Sequence, residues 1–295
     1  MQLGDIGTAV GNSPTRPFQF FMRWGGIRKR YSLYIGGAMV ALVLLSALFA
    51  PFLSPYSPIA QNYNVILQGI SMAHWLGTDN LGRDTFTRLL YGARTSMEVT
   101  FGSVLLGVVI GVPLGLLSGY YQGWLDDLVL MRIIDALQAF PFLILALVLA
   151  AMLGPGIRNA AIAIGIGYIP IFVRTVRGQV LLEKNKEYIE SARLTGCRAS
   201  RLMLHHLLPN VMTPLFVQMT LAIANGIVTE ASLGYLGLSA QPPTASWGSM
   251  LQVAQGYIST DPLMAIAPGL AIVFAVMGFN LLGDGLQTYF NKRKG

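Results

Sequence analysis

The chain has 295 residues, of which 54% are apolar and only 11% are charged. Because a soluble domain carries about 25% charged residues, this composition excludes an ordinary soluble globular protein. The net charge of +7 arises mainly from basic residues that flank the predicted membrane spans, so it does not require nucleic acid as a partner.

Uncharged stretches long enough to cross a membrane recur along the chain. A transmembrane helix needs roughly 20 such residues, and one of these stretches separates Arg30 from Asp79. The pattern predicts an all-α integral membrane protein with about six transmembrane helices. The fourth is the shortest, since Arg158 and Arg174 bracket only 15 uncharged residues, with Pro170 among them. The predicted spans are residues 33–53, 97–119, 135–154, 159–176, 210–230 and 264–286.

The basic residues predict the orientation of these spans. Lys and Arg are enriched in loops that stay in the cytoplasm. With both termini in the cytoplasm, only Arg83, Arg88, Arg94 and Arg158 fall on the outside. The single Cys197 then lies in a cytoplasmic segment and excludes an internal disulfide.

The segments around the spans complete the predicted organisation. The second outside segment, residues 231–263, contains the paired Pro242 and Pro243, which argue against a seventh span. In the first outside segment, Asp79 and Asp84 lack the alternating oxygen ligands of a calcium loop, so a turn stabilised by Asp and Gly is favoured. The predicted segments are a cytoplasmic start (1–30), the first span (31–53), an outside segment (54–96), a core with five spans (97–286) that includes a cytoplasmic hairpin (177–209), and a basic cytoplasmic tail (287–295).

Small residues recur at strict four-residue spacing in the second span. This spacing places them on one side of a helix, where small side chains let a neighbouring helix approach closely. Helix packing is the favoured role, and pore lining is the alternative. The residues of this small-residue stripe are Ser103, Gly107, Gly111, Gly115 and Gly119.

The sequence lacks the motifs of an internal energy source or a catalytic centre. It contains no Gly-Lys dipeptide, hence no phosphate-binding loop, and no H-E-x-x-H zinc motif. We therefore predict no catalytic residue, no cofactor and no metal site. Four ionisable residues lie at predicted span ends, within reach of interfacial water, and they leave a proton-coupled carrier as a competing function. They are Glu98, Asp135, Glu230 and Asp284.

The hairpin predicted at 177–209 is the largest cytoplasmic feature. Gly196 belongs either to the face of one straight helix or to a C-terminal stop that separates two short helices by an elbow. A helical hairpin between two membrane spans offers a surface for the groove of a partner protein.

The hairpin also carries a family resemblance. Its motif resembles the EAA motif of ABC importer permeases, E-A-A-x₃-G-x₉-I-x-L-P, with Ser191 and His206 as the two departures. Residues 76–84, 236–248 and 279–285 resemble the second permease subunit of the dipeptide, oligopeptide and nickel branch of that family. The motif reads Glu190-Ser191-Ala192-x₃-Gly196-x₉-His206-x-Leu208-Pro209.

This resemblance implies a type I ABC importer permease in the bacterial cytoplasmic membrane, forming half of a translocation pore. The implied partners are a second homologous permease subunit, two cytoplasmic ATP-binding subunits, an extracytoplasmic substrate-binding protein and the lipid membrane. The implied substrate is a dipeptide or oligopeptide, with nickel or another small solute as the alternative. The residues implied to dock in a cleft of the ATPase are Glu190, Ser191, Ala192, Gly196, Leu208 and Pro209.

Overall fold

The computed structural model of the protein describes residues 17–124 and 126–291. Residues 1–16 of the predicted cytoplasmic start and residues 292–295 of the predicted tail lie outside the described residues. The described part is helical, and its one β-bridge pairs Thr78 with Asp84. The α-helices are α1 (Pro17–Leu48), α2 (Ala50–Leu53), α3 (Thr85–Tyr121), α4 (Met131–Gln138), α5 (Phe142–Leu153), α6 (Ile157–Glu183), α7 (Glu187–Leu194), α8 (Ala199–Arg201), α9 (Leu208–Tyr235), α10 (Trp247–Ala254) and α11 (Leu263–Asn291).

Five helical stretches of the described part are long and apolar enough to cross a membrane. The helices Asp126–Gln138 and Phe142–Leu153, bent by 93° relative to each other, make a sixth crossing if the pair is one broken span. The prediction of an all-α membrane protein with about six spans is confirmed. The five unbroken stretches are Tyr31–Leu48, Thr85–Tyr121, Ile157–Glu183, Ala199–Tyr235 and Leu263–Phe290.

The second span begins at Thr85, earlier than the predicted residue 97. The Asp84 carboxylate caps the helix by accepting a hydrogen bond from the Thr87 N–H at 2.7 Å. In the next turn, Arg88 is 5% exposed and lies 3.4 Å from Asp79. The charge of Arg88 is therefore partnered and does not end the helix. At the two ends of the described part, α1 begins at Pro17 and α11 extends to Asn291, each beyond its predicted span.

The third span, predicted as one stretch over 135–154, is interrupted. Helix α4 ends at Gln138 and α5 begins at Phe142, with Pro141 between them as the N-cap. Proline lacks an N–H and disfavours the helical conformation in the residue before it, here Phe140. The apolar run therefore gives two short helices instead of one long one.

The fourth span is longer than predicted and extends from Ile157 to Glu183. Pro170 lies inside this helix without ending it. The two arginines near its end, Arg174 and Arg177, both have acidic partners on preceding segments. Their charges are therefore compatible with continued helix.

The small-residue stripe of α3 lies against α6. A Cβ built on Gly111 would lie 2.7 Å from the Cβ of Phe172, and one built on Gly119 would lie 2.7 Å from the Cβ of Val180. The stripe residues are all buried, and the α6 residues that face the four glycines also recur every fourth position. The matched spacing brings the two helix backbones close together. The facing residues are Tyr168, Phe172, Val176 and Val180.

The outside segments fold over the ends of the spans. Asp79 accepts hydrogen bonds from the N–H groups of Leu81 and Arg83, at 2.9 and 3.0 Å, and pairs with the Arg83 guanidinium at 2.6 Å. The region around Asp79 is thus an Asp-stabilised turn. In the second outside segment, α10 has only eight residues, too few to cross a membrane. The Trp247 indole N–H of α10 donates to the Leu89 carbonyl of α3 at 3.1 Å.

Candidate coupling hairpin and the Asp135–Arg174 ion pair

The hairpin region 177–209 is built from the end of α6, the short helix α7 and the start of α9. Gly196 follows α7 with a φ of +80°, a left-handed conformation that glycine adopts without steric cost. Its N–H donates to the Arg193 carbonyl at 3.0 Å, and the Cys197 N–H donates to the Ala192 carbonyl at 3.1 Å. Of the two alternatives for Gly196, the structure has the C-terminal stop with an elbow.

Polar contacts tie α7 to the ends of both neighbouring spans. The Tyr188 hydroxyl donates to Glu183, the last residue of α6, at 3.0 Å. The Asn210 side-chain amide, in the first turn of α9, donates to the Tyr188 oxygen at 3.0 Å. Lys186 also pairs with Glu183 at 2.7 Å. Burial raises the pKa of Tyr188 to about 12, with a further contribution from its hydrogen bond to Glu183, so the hydroxyl remains a donor at neutral pH.

One side of α7 is buried and the other is exposed. Ile189 is fully buried, in the same apolar cluster as Leu202 and Leu207. In contrast, Leu194 is 85% exposed and Glu190 is also exposed. A helix that is anchored on one side and presents an exposed leucine and carboxylate on the other is suited to a partner's groove.

The structure distributes the predicted coupling residues over two elements. Glu190, Ser191 and Ala192 lie in α7, and Gly196 forms the elbow that follows. Leu208 and Pro209 begin α9, beyond an intervening helical stretch over 199–207. Of the six predicted coupling residues, Ala192 and Leu208 are half-buried and the other four are exposed.

Contacts with α3 and with the segment that follows it hold the hairpin from another direction. The Arg193 guanidinium lies 5.6 Å from the centroid of the Tyr120 ring, within cation–π range. Arg177 pairs with Asp126 at 2.9 Å and donates to the Ser118 hydroxyl at 2.9 Å. Sequence reasoning missed these pairs, because their members are far apart in the chain and share no spacing pattern.

A second ion pair joins α4 to α6, one of the helices long and apolar enough to cross a membrane. Arg174 of α6 lies 2.5 Å from Asp135 of α4, and each side chain is 49% exposed. Counted from Glu183, Arg174 lies about 13 Å along the helix axis. The sequence placed Asp135 at a span end within reach of interfacial water. The structure places it in α4, beside the break between α4 and α5.

The other ionisable residues of the predicted span ends have different environments. Glu98 and Asp284 are exposed. Glu230 is fully buried, and its carboxylate accepts a hydrogen bond from the Ser239 hydroxyl at 2.9 Å. The expectation of contact with interfacial water therefore fails for Glu230, because the loop after α9 folds back over it.

The described part of the chain contains no group of three or more His, Cys, Asp or Glu side chains positioned to hold a metal ion. The contacts of the hairpin suit it to transmit a displacement to the spans. Because side-chain contacts join α7 to α6, α9 and α3, a displacement of α7 acts on several spans at once.

The described part of the chain thus combines a bent helix pair with a helical hairpin between two long candidate spans. The fold is similar to a solved structure of the inward-facing MetNI methionine ABC transporter. The TM-score is 0.58 at 21% identity, over 68% of this chain and 95% of that chain.

The family model for the binding-protein-dependent transport system inner membrane component matches residues 111–295. A second model, the N-terminal transmembrane domain of oligopeptide transport permease C, matches residues 22–69. The chain belongs to the family of binding-protein-dependent transport system inner membrane components, as the resemblance in the sequence predicted.

Curated relatives agree with this assignment. The chain is 42% identical to the dipeptide transport system permease protein DppC of Alkalihalophilus pseudofirmus, over 88% of this chain and 86% of the relative. It is 40% identical to DppC of Haemophilus influenzae, over 95% and 96%. It is 43% identical to the glutathione transport system permease protein GsiD of Pectobacterium atrosepticum, over 90% and 88%.

The protein is thus a permease subunit without catalytic activity of its own, with several spans in the bacterial inner membrane. A permease of this family works with an ATPase and a substrate-binding protein. The prediction of a permease that depends on partners is confirmed.

Proposed function

We propose that this permease forms half of a pore that imports short peptides, paired with a second, homologous permease subunit. Two ATP-binding subunits on the cytoplasmic side and one binding protein outside complete the proposed transporter. The proposed substrate class follows the relatives, which are named for the transport of dipeptides and of glutathione, itself a tripeptide.

The observation that carries the proposed mechanism is the attachment of α7. Its outer side, with Glu190 and Leu194, is free to enter a cleft of the ATPase. Its inner side is bonded through Tyr188 to Glu183 and Asn210, the ends of two spans. ATP-driven closure of the ATPases would move α7 as a rigid element and reorient α6 and α9.

Within this mechanism, the predicted coupling residues have separate roles. Glu190, Ser191 and Ala192 would contact the ATPase or support that contact. Gly196 would keep the elbow tight, and Leu208 with Pro209 would pass the displacement into α9. These roles are consistent with the exposure of the first group and with the position of the last pair at the start of a span.

Reconstitution of the complete transporter tests the proposal. The four membrane and ATPase subunits would be placed in proteoliposomes with the binding protein outside and ATP inside, and uptake of radiolabelled alanyl-alanine, glutathione and Ni²⁺ would be measured. We expect ATP-dependent accumulation of at least one of the two peptides. The matched control replaces the phosphate-binding lysine of the ATPases, which should abolish uptake.

Two outcomes would contradict the proposal. Uptake of a peptide driven by an imposed pH gradient without ATP would support the competing proton-coupled carrier. ATP-dependent uptake of Ni²⁺ without uptake of either peptide would reassign the substrate class while leaving the coupling mechanism intact.

A further inference from the structure

The exposed faces of α3 and α11 are apolar. On α11, residues at helical spacing are each at least 50% exposed, and α3 carries a similar face with Leu105 and Val109. Such faces are suited to contact with lipid tails. The exposed residues of α11 are Ile266, Leu270, Val273 and Met277.

The face formed by α4 and α6 is different, because it presents the pair of Asp135 and Arg174. Each side chain remains 49% exposed although the two are in contact. Ionisable groups at membrane depth face the interior of a bundle or a water-filled cavity, since lipid does not solvate them. This face is therefore turned away from lipid.

The break in the third span lies a few residues from Asp135. Its residues Ala139, Phe140 and Pro141 are exposed, with Phe140 at 59%. Irregular backbone at membrane depth occurs where it is covered by protein or lines water, because lipid leaves its polar groups unpaired. The break and the ion pair thus indicate the same wet surface.

We propose that Asp135, Arg174 and the break at 139–141 line the water-filled path through which the substrate crosses. The pair uses one oxygen of Asp135 and one nitrogen of Arg174, so further donors and acceptors remain for a substrate. Arg174 meets a carboxylate and Asp135 an ammonium group, the two ends of a short peptide. These two roles rest on the proposed peptide substrate, whereas the wet path does not. Interrupted membrane helices often form such passages.

Thiol labelling of the complete transporter tests this inference. In a Cys197→Ser background, Ala139→Cys would be compared with Leu270→Cys on the apolar face of α11. The probes are anionic sulfonatoethyl methanethiosulfonate and cationic trimethylammonioethyl methanethiosulfonate, both excluded from lipid. A transporter with Cys197→Ser but no introduced cysteine gives the background from partner subunits.

We expect Ala139→Cys to react at least ~10-fold faster than Leu270→Cys with both probes, because only the former thiol meets water. Arg174→Gln is expected to lower the ratio of anionic to cationic rates by about 3- to 10-fold, since it removes a nearby positive charge. Asp135→Asn is expected to raise that ratio, and Arg174→Lys should preserve it. Alanyl-alanine, supplied with its binding protein and ATP, should slow the labelling.

Equal rates for Ala139→Cys and Leu270→Cys would overturn the inference and would indicate that the partner permease covers this face. If neither Arg174→Gln nor Asp135→Asn changes the ratio of anionic to cationic labelling rates, the two charges do not line the path. Neither result depends on transport, so failure here is distinguishable from failure of peptide uptake. If Ala139→Cys reacts fast but alanyl-alanine does not slow the reaction, the water-filled path is supported and the proposed contact with the peptide is wrong.

Discussion

Gly111 occupies a contact between α3 and α6 that has no room for a methyl group. A Cβ at this position would lie 2.7 Å from the Phe172 Cβ and 3.1 Å from the Ile169 carbonyl oxygen. We expect Gly111→Ala to destabilise the protein by about 1–3 kcal/mol, the usual cost of overpacking a tight interface. Thermal unfolding of the detergent-solubilised protein, followed by the loss of helical circular dichroism, measures the effect.

Gly102 is the matched control in the same helix. The nearest atom to a Cβ at Gly102 is the Ala161 Cβ at 3.8 Å, an ordinary contact. Gly102→Ala should leave the melting temperature unchanged or raise it slightly, because alanine favours helix over glycine. Equal melting temperatures for Gly102→Ala and Gly111→Ala would contradict a packing role for the stripe.

At the residue scale, periodic features could be predicted from the sequence and pairwise contacts could not. The four-residue spacing of the stripe follows directly from helix geometry. No pattern linked Arg174 to Asp135, or Tyr188 to Asn210, because each contact depends on how separate helices pack. The sequence shows the polar and charged groups of these residues, but it does not show which residues they contact.

At the element scale, the elbow after α7 depends on the backbone of Gly196. Its φ of +80° costs a non-glycine residue about 1–2 kcal/mol, while the space around its Cβ position is open. We expect Gly196→Leu to abolish ATP-driven uptake while the chain still inserts into the membrane. Gly178→Leu is the control, since Gly178 is exposed, helical and also without a neighbour within 4 Å.

A second variant, Gly196→Asn, distinguishes two causes of lost uptake in Gly196→Leu. One is strain in the left-handed backbone, and the other is the bulk of the side chain. Asn adopts the left-handed conformation more readily than Leu, so Gly196→Asn should retain part of the uptake if the elbow conformation matters. Uptake rates of the complete transporter measure the difference. Complete loss with Asn as well would assign the effect to side-chain bulk at the surface that meets the ATPase. Undiminished uptake with Leu would count against the hairpin as the coupling element.

The elements themselves were predictable to the extent that hydrophobicity defines them. The long apolar stretches identified the spans, whereas the break at Pro141 remained hidden because no charged residue occurs between Asp135 and Arg158. The early start of α3 was also missed. There, capping by Asp84 and the pairing of Arg88 with Asp79 offset the charges that mark a span end in an isolated sequence.

At the scale of the whole molecule, the charge distribution predicts that α7 lies in the cytoplasm and the 54–84 segment outside. Two exposed positions test this arrangement in a Cys197→Ser background, Leu194 at the end of α7 (85% exposed) and Met72 in the outer segment (98% exposed). We expect Met72→Cys to react with a membrane-impermeant maleimide in spheroplasts. Leu194→Cys should react only after the membrane is permeabilised, because the positive-inside rule retains its segment in the cytoplasm.

The same Leu194→Cys variant tests the contact with the ATPase. In permeabilised membranes it should react when the two permease subunits are expressed alone, and it should be protected when the ATPases are present, since docking would cover this exposed leucine. Met72→Cys, on the opposite side of the membrane, should react equally in both preparations. Labelling of Leu194→Cys in intact spheroplasts would show that the predicted orientation is wrong. Equal labelling in permeabilised membranes with and without the ATPases would leave the orientation unchallenged and would show that the ATPases contact another surface.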